Sequence, residues 1–194
     1  MKRILINRLV IAVCLAAVSL LSTLAIQASP DLGADEILPP GCEAYPLGLS
    51  KYLLHGSPPG SPLTALFSDS LYGIGILRWD PDPASNNIGY VVKELRQPEL
   101  SLTGYTGMLN AGDHSLSAGD AVAAYTGLPA SNDFNAEIYR LQASGAVLRV
   151  PTWSTRGGSD PNRYYAVDRF VLVKITDFHP EQPDMPVTFI YLGE

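Results

Sequence analysis

Cysteine is almost missing from this chain: 194 residues hold only Cys14 and Cys42. Cys14 sits inside an N-terminal apolar run, so Cys42 stands alone in the remainder. An internal disulfide is excluded there, and stability must come from packing. Histidine is scarce too: His55, His114 and His179 lie far apart with no HxH or HExxH spacing, so no zinc site is expected. No GxSxG elbow occurs, and the contiguous Asp113, His114 and Ser115 cannot converge as nucleophile, base and orienter from one stretch of backbone. There is no internal repeat. Together these gaps leave no residue pattern that spells out a reaction, and no cofactor is expected.

Positive charge is in short supply where it would matter for partners. Lys2, Arg3 and Arg8 begin residues 1–28, which continue as the apolar run Leu9 to Ile26 and read as a secretory leader. Thr23, Ala25 and Ala28 supply small residues for cleavage, while a run of this length also stands at the lower edge of what spans a bilayer, so an uncleaved anchor is the other reading. Val13 is too bulky to precede a lipidated Cys14. Without the leader's three basic residues, the 13 of the chain fall to 10 against 19 acidic ones, a net charge of −9. That balance repels phosphate backbones and anionic lipid, so nucleic acid is excluded as a partner and the membrane is met only through the N-terminal segment if it stays uncleaved. The expected location is extracytoplasmic, secreted or in the cell envelope.

Residues 29–41 hold Pro30, Pro39 and Pro40 among acidic residues and read as a flexible tether. Residues 42–194 then form one domain, large enough to bury a genuine core. Within it, HGSPPGSP at 55–62 reads as an exposed loop because its prolines exclude a helix or inner strand. The run LYGIGILRW at 71–79 reads as a strand that leaves the core into the turn DPDPASNN at 80–87. Tyr165, Val167, Val171, Val173 and Ile175 share one parity across 164–176, as a strand with one buried face requires, with Arg169 the exception. Further strands are expected over 120–126, 146–153 and 187–192. Asn132 or Asp133 can cap a short helix that buries Phe134, Ile138 and Leu141 and ends at Gly145, and a second helix is expected over 90–97. The fold class is therefore mainly β, a small barrel or sandwich with two short helices. Gly73 and Gly75 clear one strand face for the close approach of another backbone or an aromatic ring, with Trp79 expected as that ring or near it. Pro151 lacks an amide donor, which places its strand at an edge or beside a bulge and leaves an uncovered edge open to pairing with another chain.

Several segments occur in an order that matches a known family: CEAYPLGLSK at 42–51, GIGILRWD at 73–80, LSAGDAVAAYTG at 116–127, VLRVPTW at 147–153, YYAVDRFVLVKITDF at 164–178 and the closing VTFIYLG. The colinear set, covering about residues 41–194, resembles the C-terminal domain of TadG-like proteins. These are associated with Tad/Flp pilus assembly and with other anchored bacterial surface proteins. The resemblance implies a non-catalytic module of the bacterial cell surface, in pilus-like assembly or adhesion, with protein partners at the envelope. In that family the domain usually follows a transmembrane helix and often a long additional region, whereas here it follows the leader and a short tether. The family supplies no catalytic residues to carry over.

Three groups of residues are candidates for chemistry beside this reading. Cys42 with His55 is the one pairing that could make a thiol nucleophile for an envelope enzyme, against a packed, inert thiol. Asp80, Asp82, Asn86 and Asn87 offer oxygen ligands to a calcium ion, against plain Asx-Pro turns. Tyr90, Tyr105, Tyr125, Tyr164 and Tyr165 could line a glycan-binding face, against cross-strand packing. Arg156 and Arg163 flank a Gly, Ser and Asn-rich hairpin tip over 154–163, where recognition would be placed; with Tyr164 and Tyr165 they are the binding candidates.

Overall fold

The computed structural model describes residues 42–68 and 70–194, all within the compact unit Ile37–Glu194; the leader and the tether lie outside the described residues. Seven strands form the framework: β1 Leu47–Ser50, β2 Pro62–Ala65, β3 Ile74–Arg78, β4 Ala121–Ala124, β5 Leu148–Gly157, β6 Tyr164–Phe178 and β7 Val187–Gly193. Among the described residues three α-helices accompany them: α1 Ile88–Arg96, α2 Leu100–Thr103 and α3 Asn132–Ser144. No helix among the described residues is long and apolar enough to cross a membrane.

The strand order is β2-β7-β6-β4-β3-β1-β5, and β5 pairs back onto β6, so five strands close a barrel and β7 and β2 extend from it. Closure depends on the length of β6. Residues 164–173 pair with β5 along one edge, while the other edge serves β4 at residues 164–166 and β7 from residue 172 onward. One parallel pairing, Leu49 with Thr152 and Ser50 with Trp153, seals β1 to β5. The fold is thus mainly β and of the barrel form.

The alternation expected in β6 is present: Tyr165, Val167, Val171, Val173 and Ile175 are buried and Arg169 is exposed. The same face feeds two separate cores. Tyr165 and Val167 join Leu77, Trp79, Val122, Ala124 and Trp153 in the barrel cluster. Val171, Val173 and Ile175 join a larger aliphatic cluster with α1 and α3, to which Phe134, Ile138 and Leu141 contribute. Arg169 lies between the two sets and its Nη1 meets Glu194 Oε1 at 2.6 Å.

Local signals explain the helices. Ser131 rather than Asn132 caps α3, its Oγ accepting from Phe134 N at 3.1 Å, and Gly145 ends the helix at φ 64°, a left-handed position that favours glycine. Asn87 caps α1 through Oδ1, accepting from Tyr90 N. Glu137 of α3 ties the two helices together, with Arg96 and Arg140 each 2.7 Å away. Burial alone would raise its carboxyl, but the two guanidiniums outweigh burial and hold it below the ordinary range.

Three expectations change. The ring over Gly75 is Tyr165, not Trp79: a Cβ on Gly75 would stand 2.5 Å from the Tyr165 ring. Trp79 and Leu77 share a parity with Gly75, so Trp79 lies farther along the same inward face. Pro151 is not at an open edge, because β5 is flanked by β6 and by the 42–50 segment, with Tyr45 N donating to Arg149 O at 2.9 Å. The missing donor is accommodated beside a bulge, where the β5–β6 register shifts between Thr152 and Thr155. The uncovered edge belongs to β2, a four-residue strand that begins with Pro62; its alternation was masked by the prolines before it. α2 is a third, single-turn helix that no periodicity announced.

Candidate functional site

The ends of β3, β4 and β6 meet at one end of the barrel and enclose a cavity of about 420 Å3. Backbone pairing sets its walls: Tyr125 N donates to Ile76 O, and Ala124 N to Arg163 O, both at 2.9 Å. Thr126 is fixed from outside by Asn86, whose Oδ1 accepts from Thr126 N and whose Nδ2 donates to Thr126 Oγ1 at 2.8 Å. On the facing side Asp184 and Met185 both take left-handed backbone, φ 58° and 47°, unusual for residues with a side chain. That turn is held by burial of Met185 and by the Asp184 carbonyl, which accepts from Phe67 N.

The polar lining is Ser68, Tyr125, Thr126, Asp160, Arg163, Tyr165 and Asp184. Arg163 Nε stands 3.1 Å from Asp160 Oδ1 across the β5–β6 tip, so the guanidinium reaches the cavity already oriented. Tyr165 is almost wholly buried, its ring against Gly75 and 5.0 Å from that of Trp153. These are groups that hydrogen-bond and stack.

Of the four binding candidates, Arg163 and Tyr165 line this cavity. Tyr164 and Arg156 are not in its lining; the Tyr164 ring lies over Gly157, where an added Cβ would stand 2.3 Å from it, and Arg156 is exposed on β5. Strand alternation separates Tyr164 from Tyr165, since neighbours on one strand face opposite ways. Tyr125, one of the tyrosines considered for a glycan face, reaches the same cavity. Asp184 had no local signal.

Cys42 and His55 sit at opposite ends of β1. The Cys42 carbonyl accepts from Arg149 Nη1 near the start of β5, whereas His55 is exposed and follows the 3-10 turn Lys51–Leu54 beyond Ser50. The four oxygen-ligand candidates each make a turn or cap. Asp80 Oδ1 accepts from Asp82 N, Asp82 Oδ1 from Ala84 N and Asn87 Oδ1 from Tyr90 N, while Asn86 holds Thr126.

Arg78 and Glu94 are buried charges that the sequence pattern did not single out. Arg78 is wholly buried at the end of β3, donating from Nε to Ala124 O at 3.0 Å and from Nη1 to Asp82 O at 2.8 Å and Ser85 Oγ at 2.6 Å. It therefore ties the 80–87 turn to the end of β4. Burial, partly offset by the nearby acids, draws its pKa down. Glu94 of α1 accepts from Trp79 N at 3.0 Å, and burial pushes its carboxyl up to about 7. Its place beside Val91 and Leu95 on the buried helix face is the one trace it leaves in the sequence.

The fold and the cavity together define a small closed β-barrel, flanked by helices, with a polar recess at one end. No family model matches the chain, no curated protein matches it, and no solved structure matches its fold.

Proposed function

We propose that this chain is a non-catalytic module of the bacterial cell surface or envelope that works by binding a protein partner at the barrel-end cavity. The observation that carries the reading is the cavity itself: about 420 Å3, with orienting polar groups inside and apolar side chains around it. Leu128 lines it and is 48% exposed, and the loop that brings Ser68 to its wall also exposes Leu71 and Tyr72 by 59% and 62%. Exposed apolar side chains around a polar recess are what a protein contact covers. The acidic balance favours a partner with a basic face. The leader-like N-terminus and the resemblance to TadG-like C-terminal domains support an envelope location and a role in assembly or adhesion.

Site-specific photocrosslinking in the producing bacterium tests this. A crosslinker at Leu128 should capture an envelope protein, one at Leu109, beyond the other end of β4, should not, and Arg163→Glu should abolish the adduct. Cys42→Ser should leave it unchanged, whereas loss of function in that variant would favour the thiol enzyme. Equal adducts at Leu109, or recovery of the chain from the cytosol alone, would sink the proposal.

A further inference from the structure

Two carboxylates and one guanidinium are the charged groups that line the barrel-end cavity. Arg163 Nε stands 3.1 Å from Asp160 Oδ1, so the base and one of the acids offset each other. Asp184 is left over: it is exposed, and its carboxylate makes no hydrogen bond or ion pair with any described residue. Its backbone is nevertheless fixed, because the Asp184 carbonyl accepts from Phe67 N at 2.9 Å and Met185, 2% exposed, is buried beside it. The cavity thus has an acidic balance, two acids against one base. The residues after the leader, 10 basic against 19 acidic, add a field of the same sign.

What enters must offset Asp184. Any group that fills the cavity takes water away from that carboxylate, and a carboxylate shielded from water costs free energy unless a cation replaces the water. An anion would meet Asp160 and Asp184 together, and an apolar side chain would leave Asp184 uncompensated. Among cations, the rest of the lining favours a guanidinium over an ammonium. Phe67, Tyr125, Leu128 and Pro129 give the wall apolar and aromatic surface. A planar, weakly hydrated guanidinium stacks on such surface, whereas a strongly hydrated ammonium loses more on entering it. At about 30 Å3 per water the cavity has room for roughly fourteen waters, enough for one long side chain and too little for a helix. We infer that the group entering the cavity is an arginine side chain of a basic protein segment, its guanidinium paired with the Asp184 carboxylate and its stem along Leu128 and Pro129; this rests on the cavity being the contact site.

The full chain is titrated with the capped tripeptide Ac-Gly-Arg-Gly-NH2 and with the same peptide carrying lysine, citrulline or glutamate in place of arginine. The backbone amide resonances of Gly127 and Leu128 at the cavity, and of Leu109 beyond the other end of β4, are followed. The arginine peptide should move the first two and leave Leu109 still. Citrulline keeps the shape of arginine without its charge and should bind at least about tenfold more weakly; lysine should fall between, and glutamate should move nothing. Asp184→Asn keeps the size and suits left-handed backbone, and should weaken arginine binding at least about tenfold and erase the preference over citrulline. Leu128→Lys, which adds a cation to the cavity lining, gives an independent loss should Asp184→Asn fail to fold. Equal affinity for arginine and citrulline, no shift with arginine, or unchanged arginine affinity in a folded Asp184→Asn or Leu128→Lys protein overturns the inference. A crosslink at Leu128 that forms equally in the parent protein and in Asp184→Asn overturns it too, while leaving the cavity as the contact site. Arginine binding without any crosslink would uphold the specificity and sink the contact reading instead.

Discussion

The barrel interior and the core beneath α1 and α3 are packed on different plans. The interior is filled by a few large rings, Trp79, Trp153, Tyr105 and Tyr165, which fit because Gly48 and Gly75 leave room. The other core is built from many medium-sized aliphatic side chains with Phe67, Phe134, Phe178 and Phe189 among them. The interior also holds the orphan donor Trp79 Nε1, whereas the orphan atoms of the helices over the other core, Glu94 Oε2 and Asn135 Oδ1, sit on α1 and α3. A narrow barrel admits few side chains, so large rings with polar atoms do the filling. A broad interface between helices and sheet can be closed by small apolar increments. The first should be sensitive to added volume and the second to removed volume.

The largest effect is expected in the aliphatic core. Phe134→Ala removes a wholly buried ring packed edge-on against Phe67 at 5.3 Å, and should cost about 3–5 kcal/mol by urea unfolding. A loss below about 1 kcal/mol would mean that this core tolerates voids and would erase the contrast.

Next comes Glu94, which stands where the two cores meet. Its carboxyl titrates near 4.5 when unfolded and about 7 when folded, so the folded state binds the proton more tightly. Its contribution to stability is full below pH 4.5 and lost as pH rises through 7, a swing of at most about 3 kcal/mol. Urea midpoints at several pH values should show that Glu94→Gln flattens this fall relative to the parent protein. A parallel pair of pH profiles would show that the carboxyl is not held in an apolar setting.

Gly75→Ala should have the smallest effect of the three. It places a Cβ 2.5 Å from the Tyr165 ring, an overpacking expected to cost about 1–3 kcal/mol. Tyr165→Leu should recover part of that loss in the double variant. Strict additivity between the two would sharpen the comparison the other way, by showing that the barrel interior yields to added volume.

Much of the fold was written locally. The period-two run of β6, the helix from Ser131 to Gly145 and the Asx caps before α1 each depend on residues within a few positions of one another. Sterics and backbone hydrogen bonding then act without reference to the rest of the chain. The site was legible only in part. Arg163 and Tyr165 stood out because they flank a loop rich in turn residues, but Asp184 carries no local mark and Glu94 only its place on the apolar face of α1. What makes them notable is the wall or the core they end up against.

By itself the amino-acid sequence determined a β-rich domain held without disulfides, the buried face of its longest strand and the ends of its longest helix. Tertiary structure alone decided that β5 closes onto β6 and β1, that Tyr165 rather than Trp79 covers Gly75, and that Glu94 accepts from Trp79 N. The physical reason is range. Periodicity and caps act over a turn or a strand, whereas closure pairs Leu49 with Thr152 across most of the domain, a contact fixed only when the whole barrel packs.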